Sequence, residues 1–457
     1  MADSRIIAVI DIGKTNAKVV VFDLATQQEL ERLSTSNMVL HTDLYPHYDT
    51  KALWHFIAES LKALSARYRV DAISIATHGA SAALLNENGT LAMPVLDYEH
   101  GGPQSVSTEY DALRAPFAET GSPRLPNGLN LGAQIFWQAK AFPEQFAKVR
   151  WIVTYPQYWA FRLCGVLAGE ATSLGCHTDL WAYDKRDYSS LVDRIDWRKY
   201  MPAVRKASDR LGTLLPEIAR DTGLDPRTPV HCGIHDSNAS LLPHIIARTS
   251  PFAVVSTGTW VISMAIGGNR VVLDPARDTL VNVNAFGDPV PSARFMGGRE
   301  FELLQPLFGS APSKADVDKV LKLKAMLLPA VVQGCGPFAD RNSRWLNDDG
   351  VSPPQKQVAA SFYLALMTAT CLELAGAVGD IIVEGPFASN DYFMPMLSTA
   401  TASRVFGTAT ATGTALGAAL LTAGSTHSSP DYSLSPPSNA AYQAYAVTWK
   451  NAVHTQL

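Results

Sequence analysis

Two stretches half a chain apart repeat one pattern, and that repetition limits what the chain can fold into more than any other feature. The first runs Ile6-Ile7-Ala8-Val9-Ile10, then Asp11-Ile12-Gly13-Lys14-Thr15-Asn16, then a Val-rich segment from Ala17 to Asp23. The second runs Phe252-Ala253-Val254-Val255, then Ser256-Thr257-Gly258-Thr259, then Trp260 to Met264. In each, two β-branched runs flank a polar turn containing glycine, the pattern of a β-hairpin. Gly13 and Gly258 stand 245 positions apart in a chain of 457. The recurrence suggests two similar halves related by internal duplication, and the length agrees with two or three domains, each with its own core.

Other segments place elements around these hairpins. Leu53, Phe56, Ile57, Ser60, Leu61 and Leu64 form a stripe at helical spacing. Ala72 to Ala76 reads as a short buried strand ending at Thr77-His78-Gly79. Strands alternating with helices predict an α/β architecture. The boundary is expected between Gly233 and Pro251, giving domains over 1–244 and 245–430. The Ser/Pro-rich run from Ser425 to Asn439 leaves 431–457 as a tail. Segment 97–130, with its Gly, Pro and Asn clusters, is expected to be irregular and to line a site.

Composition narrows the partners. Lys+Arg at 38 against Asp+Glu at 42 leaves a net charge of −4, without the basic excess of an electrostatic nucleic-acid binder. The five cysteines are scattered and form no C-x-x-C pair, which argues against a disulfide framework and for a reducing cytoplasm. The apolar run Ile6–Ile10 is too short for a secretory leader, and Thr408–Gly424 lacks the bulky residues of a membrane span. No nucleic-acid or membrane partner is expected.

Asp11 ends a buried strand and precedes Gly13, Thr15 and Asn16. A carboxylate there can hold Mg²⁺ directly or through water. Gly13 admits a phosphate close to the backbone, the turn amides with Thr15 and Asn16 can cradle its oxygens, and Lys14 and Lys18 add positive charge. An ordinary Asp-Gly hairpin turn with a solvated lysine would carry the same residues. Asp236 follows the strand-like Val230-His231-Cys232 and precedes the small, helix-like Ala239-Ser240-Leu241-Leu242. A carboxylate so placed can serve as a general base, or simply as a helix cap.

In combination these motifs resemble the FGGY carbohydrate kinases of the actin/Hsp70/sugar-kinase superfamily, nearest to the rhamnulokinase and fuculokinase side. Asp11-x-Gly13-x-Thr15-x-x-Lys18 resembles the first phosphate motif, and Thr77-His78-Gly79 the strand-end His-Gly. Gly233-Ile234-His235-Asp236-Ser237-Asn238-Ala239-Ser240 resembles G-x-x-D-x-x-A-[GS], whose Asp is the catalytic base. Ser256-Thr257-Gly258-Thr259-Trp260 resembles the second phosphate turn. Ile382 to Asn390 stands where the family carries its adenosine motif, and Gly413-Thr414-Ala415-Leu416-Gly417-Ala418-Ala419 is similar to its closing helix.

The resemblance implies two ribonuclease-H-like, actin-like ATPase domains with a central cleft, and a kinase using ATP and Mg²⁺ on a primary hydroxyl of a ketose or deoxyketose. It implies Asp236 as base and substrate ligand, and Asp11 as the metal residue. His78, Asp97 and Glu99 would bind the sugar, unless His78 is structural and 97–100 a solvated acidic loop. Gly13, Thr15, Asn16, Lys18, Gly258, Thr259, Gly385 and Asn390 would bind the nucleotide, Gly258 and Thr259 being otherwise a tight turn and Asn390 a helix cap. The implied partner is a small sugar, and a homodimer is compatible with it.

Three departures stand out. Lys14 replaces the usual Thr or Ala, and Pro386-Phe387 follows Gly385 where further glycines are usual. Asp97-Tyr98-Glu99-His100 stands in place of the xylulokinase Trp-x-Asp-x-Arg. A bulky pair at 386–387 motivates an alternative, a sugar-sensing protein with a blocked adenine pocket.

Overall fold

A computed structural model describes residues 5–408, 413–423, 432–434 and 440–455. The chain divides into two compact units, unit 1 covering 1–247, 281–289 and 412–428, and unit 2 the remainder.

Unit 1 is built on a sheet. β1 (Ile6–Ile12) and β2 (Asn16–Asp23) form the first hairpin, and β3 (Gln28–Ser36) pairs antiparallel with β2. α1 (Thr50–Ser65) leads to β4 (Ala72–Thr77), parallel to β1. α2 (Tyr155–Cys164) precedes β5 (Arg210–Thr213) and β6 (Pro229–His231), and β7 (Ile234–His235) extends the pairing with β4. α3 (Asp236–Ala247) follows at once. The sheet order is β5-β6-β4-β1-β2-β3.

Alternation along β1 explains why both faces are covered. Ala8, Ile10 and Ile12 join Leu53, Ile57 and Leu61 of α1 and Trp159 of α2 in one core. Ile7 and Val9 join Ala239 and Leu242 of α3 in the other. Asp49 starts α1 by accepting from the Ala52 amide at 2.9 Å, the capping its side chain is suited to.

Unit 2 repeats this plan. β8 (Phe252–Thr257) and β9 (Val261–Ile266) form the second hairpin, and β10 (Pro289–Phe295) pairs antiparallel with β9. After α4 (Gly297–Leu304) and the long α5 (Pro353–Leu374), β11 (Asp380–Glu384) pairs parallel with β8. Then α6 (Phe393–Thr401) leads to β12 (Val405–Thr408), parallel to β11. The run β10-β9-β8-β11-β12 has the same directions as β3-β2-β1-β4-β6. Both are three antiparallel strands continued by two parallel ones, the ribonuclease-H-like arrangement. The chain returns to unit 1 with α7 (Thr414–Leu420), which completes the face containing Ala239.

Several segments differ from the sequence reading. Within 97–130 the chain forms a 3₁₀ turn over Gly102–Val106 and short helices over Ser107–Leu113 and Phe117–Thr120. Residues 440–454, within the expected tail, form α8 (Ala440–His454) in unit 2. Its Trp449 Nε1 donates to the Leu327 carbonyl at 2.8 Å and its Tyr445 hydroxyl to that of Ala325 at 2.7 Å. Most of the Ser/Pro-rich run before it, and residues 409–412 and 424 of the Thr408–Gly424 stretch, lie outside the described residues. By length and composition α5 is apolar enough to cross a membrane, and most of it is buried inside unit 2. Being apolar all round, it offers no helical stripe to read.

Candidate active site

Three strands of unit 1 end side by side. Asp11 pairs with Ala76, and Thr77 lies beside both Ile12 and His235. The carboxyl ends of β1, β4 and β7 therefore bring Asp11, His78 and Asp236 to one edge of the sheet, the edge where α/β sheets place their ligands.

In the β1–β2 turn, the Gly13 amide donates to the Asn16 carbonyl at 2.9 Å and Asn37 Nδ2 to the Gly13 carbonyl at 2.8 Å. These bonds hold the turn while the Thr15 and Asn16 side chains stay exposed. Asp11 is directly opposite Lys18 in the antiparallel register, and their carboxylate and ammonium meet at 3.0 Å. Burial pushes the Asp11 carboxyl above its ordinary pKa, Lys18 opposes that rise, and Asp236 adds to it.

Lys14 does not join this phosphate-type turn. Its Nζ forms a short ion pair with Asp97, lies 3.4 Å from Glu99 Oε2, and sits 5.1 and 4.7 Å from the Tyr48 and Tyr98 ring centres. Asp97 is buried and also accepts from the Glu99 amide at 3.2 Å, whereas the Glu99 side chain is 65% exposed. Of the two readings left open for 97–100, the solvated acidic loop does not describe this cluster, in which Asp97 is buried and paired with Lys14.

His78 packs against the rings of Tyr48, Tyr98 and Tyr155 at 5.0, 5.6 and 5.2 Å. Its Nδ1 faces the Gly79 carbonyl at 2.9 Å and so carries the ring proton. Nε2 is then an acceptor, buried and without a hydrogen-bond partner among the described residues. Burial lowers the His78 pKa to about 4, so the ring is neutral.

Asp236 is the first residue of α3, and its carboxylate accepts from the Ser237 amide at 2.6 Å. His235 Nε2 stands 3.3 Å from the same oxygen, and Asn238 Nδ2 stands 3.3 Å from His235 Nδ1. With the Asn amide donating to Nδ1, Nε2 carries the proton and donates to Asp236. Burial raises the Asp236 pKa and lowers that of His235 to about 4. A Cβ on Gly79 would lie 2.7 Å from His235 Nε2, so this glycine makes room for the histidine.

A brace built on Glu170, Thr172 and Gln157 holds β7. Glu170 accepts from the Thr172 and Ser173 amides at 2.8 and 3.1 Å and from the Thr172 hydroxyl at 2.6 Å. Thr172 Oγ1 in turn accepts from the His235 amide at 3.0 Å. Gln157 Nε2 donates to the Cys232 and Gly233 carbonyls at 3.0 and 3.2 Å. Neither Thr172 nor Gln157 lies in a motif that the sequence brings next to Asp236.

In unit 2, the Gly258 amide donates to the Trp260 carbonyl at 2.9 Å, leaving Gly258 and Thr259 exposed at the turn. Thr257 Oγ1 donates to the Glu384 carbonyl and accepts from the Phe387 amide at 3.1 Å. A Cβ on Gly385 would fall 2.0 Å from the Thr257 carbonyl oxygen, so the two motifs are packed backbone to backbone. The Phe387 ring turns into the core against Phe301 and Phe393, with centroids at 5.7 and 5.3 Å. Asn390 Oδ1 accepts from the Tyr392 and Phe393 amides at 3.0 and 2.9 Å, and its Nδ2 donates to Ser361 Oγ at 3.2 Å. The helix-capping alternative for Asn390 describes these contacts.

Residues 6–243 match the N-terminal domain of the FGGY family of carbohydrate kinases, and 249–430 match the carbohydrate kinase FGGY C-terminal domain. A solved structure of a carbohydrate kinase from Novosphingobium aromaticivorans is 35% identical, covers 99% of both chains and superposes with a TM-score of 0.91. L-fuculokinase of Salmonella typhi is 24% identical over 58% of this chain and 57% of its own length. Xylulose kinase of Escherichia coli (strain K12) is 26% identical over 50% of this chain and 48% of its own. The chain thus spans about half the length of these curated relatives. The fold is the actin-like ATPase fold of sugar kinases.

Proposed function

The chain belongs to the FGGY family of carbohydrate kinases, and on that footing we propose that it transfers the γ-phosphoryl group of ATP to a primary hydroxyl of a ketose or deoxyketose. The observation that carries this reading is that Asp236, part-buried at a helix N-terminus, shares one sheet edge with His78, whose Nε2 has no hydrogen-bond partner among the described residues.

In the proposed reaction the sugar hydroxyl gives its proton to Asp236 while its oxygen bonds to the γ-phosphorus. The bond from that phosphorus to the β–γ bridging oxygen breaks, and ADP leaves. The neutral His235 holds the Asp236 carboxylate in place, and His78 Nε2 accepts from a second sugar hydroxyl. The exposed Thr15 and Asn16 with the Gly13 turn, and Gly258 with Thr259, are the phosphate-binding elements of this reading. Gly385 supports the second of them.

Asp11 fits a Mg²⁺ ion: it is a hard oxygen donor, and a cation would offset both the burial that chiefly raises its pKa and the Asp236 charge that adds to it. When bound, the ion would neutralise charge on the phosphates. Against the sensor alternative, the Phe387 ring packs on Phe301 and Phe393, so of the bulky pair that motivated it only Pro386 is exposed. The five cysteines, four of them buried, form no disulfide among the described residues, in keeping with the proposed reducing compartment such as the cytoplasm.

The test is Asp236→Asn in a coupled ADP-release assay over ketoses, deoxyketoses and polyols. We expect turnover to fall about 10²–10⁴-fold, with calorimetric affinity for ATP and Mg²⁺ retained. Near-normal turnover would remove Asp236 as the base.

A further inference from the structure

The acidic loop after the first strands holds a half-buried cation that the proposed phosphoryl transfer does not use. Lys14 is on the β1–β2 turn, yet its ammonium is turned away from Asp11, which pairs with Lys18 instead. It is held by Asp97 and Glu99, and its side chain keeps only 20% exposure. The faces of Tyr48 and Tyr98 flank it, and both rings also touch His78. One small region therefore carries an ammonium donor, two carboxylate acceptors, aromatic faces, and the buried Nε2 of His78, which has no hydrogen-bond partner among the described residues.

This set matches a polyhydroxylated ligand. Hydroxyls both donate and accept, so a diol can bridge an ammonium and a carboxylate, and the C–H face of a sugar stacks on a tyrosine ring. The charges also decide which ligands are refused. Lys14 is outnumbered by Asp97 and Glu99, and Lys18 is neutralised by Asp11. A carboxylate entering here would find both of these lysines already paired and would lie beside two like charges.

We propose that Lys14 is a specificity-determining residue of the sugar site: clamped by Asp97 and Glu99, its ammonium donates to a hydroxyl of an uncharged sugar, and the cluster rejects sugar acids. This rests on the sugar-kinase reading above, and its test is separable from it.

The experiment pairs each neutral sugar of the panel with its aldonic or uronic acid. Binding is measured by calorimetry without nucleotide, and turnover by ADP release. The wild type is expected to bind the neutral member of a pair at least tenfold more tightly. Lys14→Met is expected to weaken binding and raise KM for the neutral sugar about tenfold, the loss of one charged hydrogen bond, with KM changing more than kcat. Asp97→Asn with Glu99→Gln frees the ammonium and is expected to improve affinity for the acid at least tenfold. If that double variant does not fold, Glu99→Gln alone, at an exposed side chain, should shift the acid-to-neutral ratio about threefold in the same direction.

Equal wild-type affinity for a sugar and its acid, or an unchanged KM and Kd in Lys14→Met, would overturn the proposal. Absence of turnover with every sugar would refute the kinase reading instead, and the nucleotide-free affinities would still decide the role of Lys14.

Discussion

Replacing Glu300 by Gln should change the pH dependence of unit 2 in a calculable way. Glu300 is 1% exposed on α4, whose Arg299 amide donates to the Thr259 carbonyl at 3.3 Å. Its carboxyl accepts from the Tyr363 hydroxyl at 2.9 Å and the Val332 amide at 3.0 Å. Burial outweighs these donors and raises its pKa from 4.5 to about 7. Between those pH values the folded state holds more protons than the unfolded one, so stability falls as pH rises and the loss is complete above the folded value. At roughly 1.4 kcal/mol per pH decade, the interval corresponds to about 3 kcal/mol.

Glutamine keeps the acceptor for Val332 and turns an amide toward the Tyr363 oxygen, at a pH-independent cost of about 1 kcal/mol. The variant should therefore be about as stable as the wild type at pH 5 and more stable, by about 2 kcal/mol, at pH 8. Native-state hydrogen exchange across α5 reports on unit 2 directly, and comparing variant with wild type at matched pH cancels the intrinsic exchange rate. A stability difference that stays flat from pH 5 to 8 would refute the assignment of a neutral Glu300.

Two further substitutions probe how Asp236 is positioned. A Cβ on Gly417 of α7 would fall 1.7 Å from the Ala239 carbonyl oxygen on α3; Gly417→Ala should lower stability by about 1–3 kcal/mol and reduce kcat, and an unchanged melting temperature would show that α7 can shift freely. Thr172→Val removes the hydroxyl that accepts from the His235 amide; a loss of about 1–3 kcal/mol in denaturant unfolding is expected, with Thr172→Ser restoring it, and failure of that rescue would make the effect one of packing alone.

The two hairpins, the α1 stripe, the β4 strand and the start of α3 at Asp236 were legible in the sequence. Each is encoded by residues adjacent in the chain: β-branched runs around a glycine turn, or apolar residues at helical spacing. Unlike them, α8 could not be read, because a Ser/Pro-rich run precedes it and its anchors, the Leu327 and Ala325 carbonyls, lie more than a hundred positions upstream.

The site divides the same way. Local sequence determined which residues bear the chemistry: a carboxylate at a strand end, a His-Gly pair, an acidic loop, a glycine turn. Tertiary structure alone decided their partners. It turned Lys14 from the phosphate-type turn to Asp97, 83 positions away. It placed Thr172 under His235, 63 positions away, and drew Phe387 into the core beside a turn 130 positions before it. Such contacts are set by where loops bring the chain back, and periodicity holds no record of that path. Side chains that could equally face solvent, as a lysine or an acidic loop could, acquire a role only when burial and a charged neighbour fix their direction.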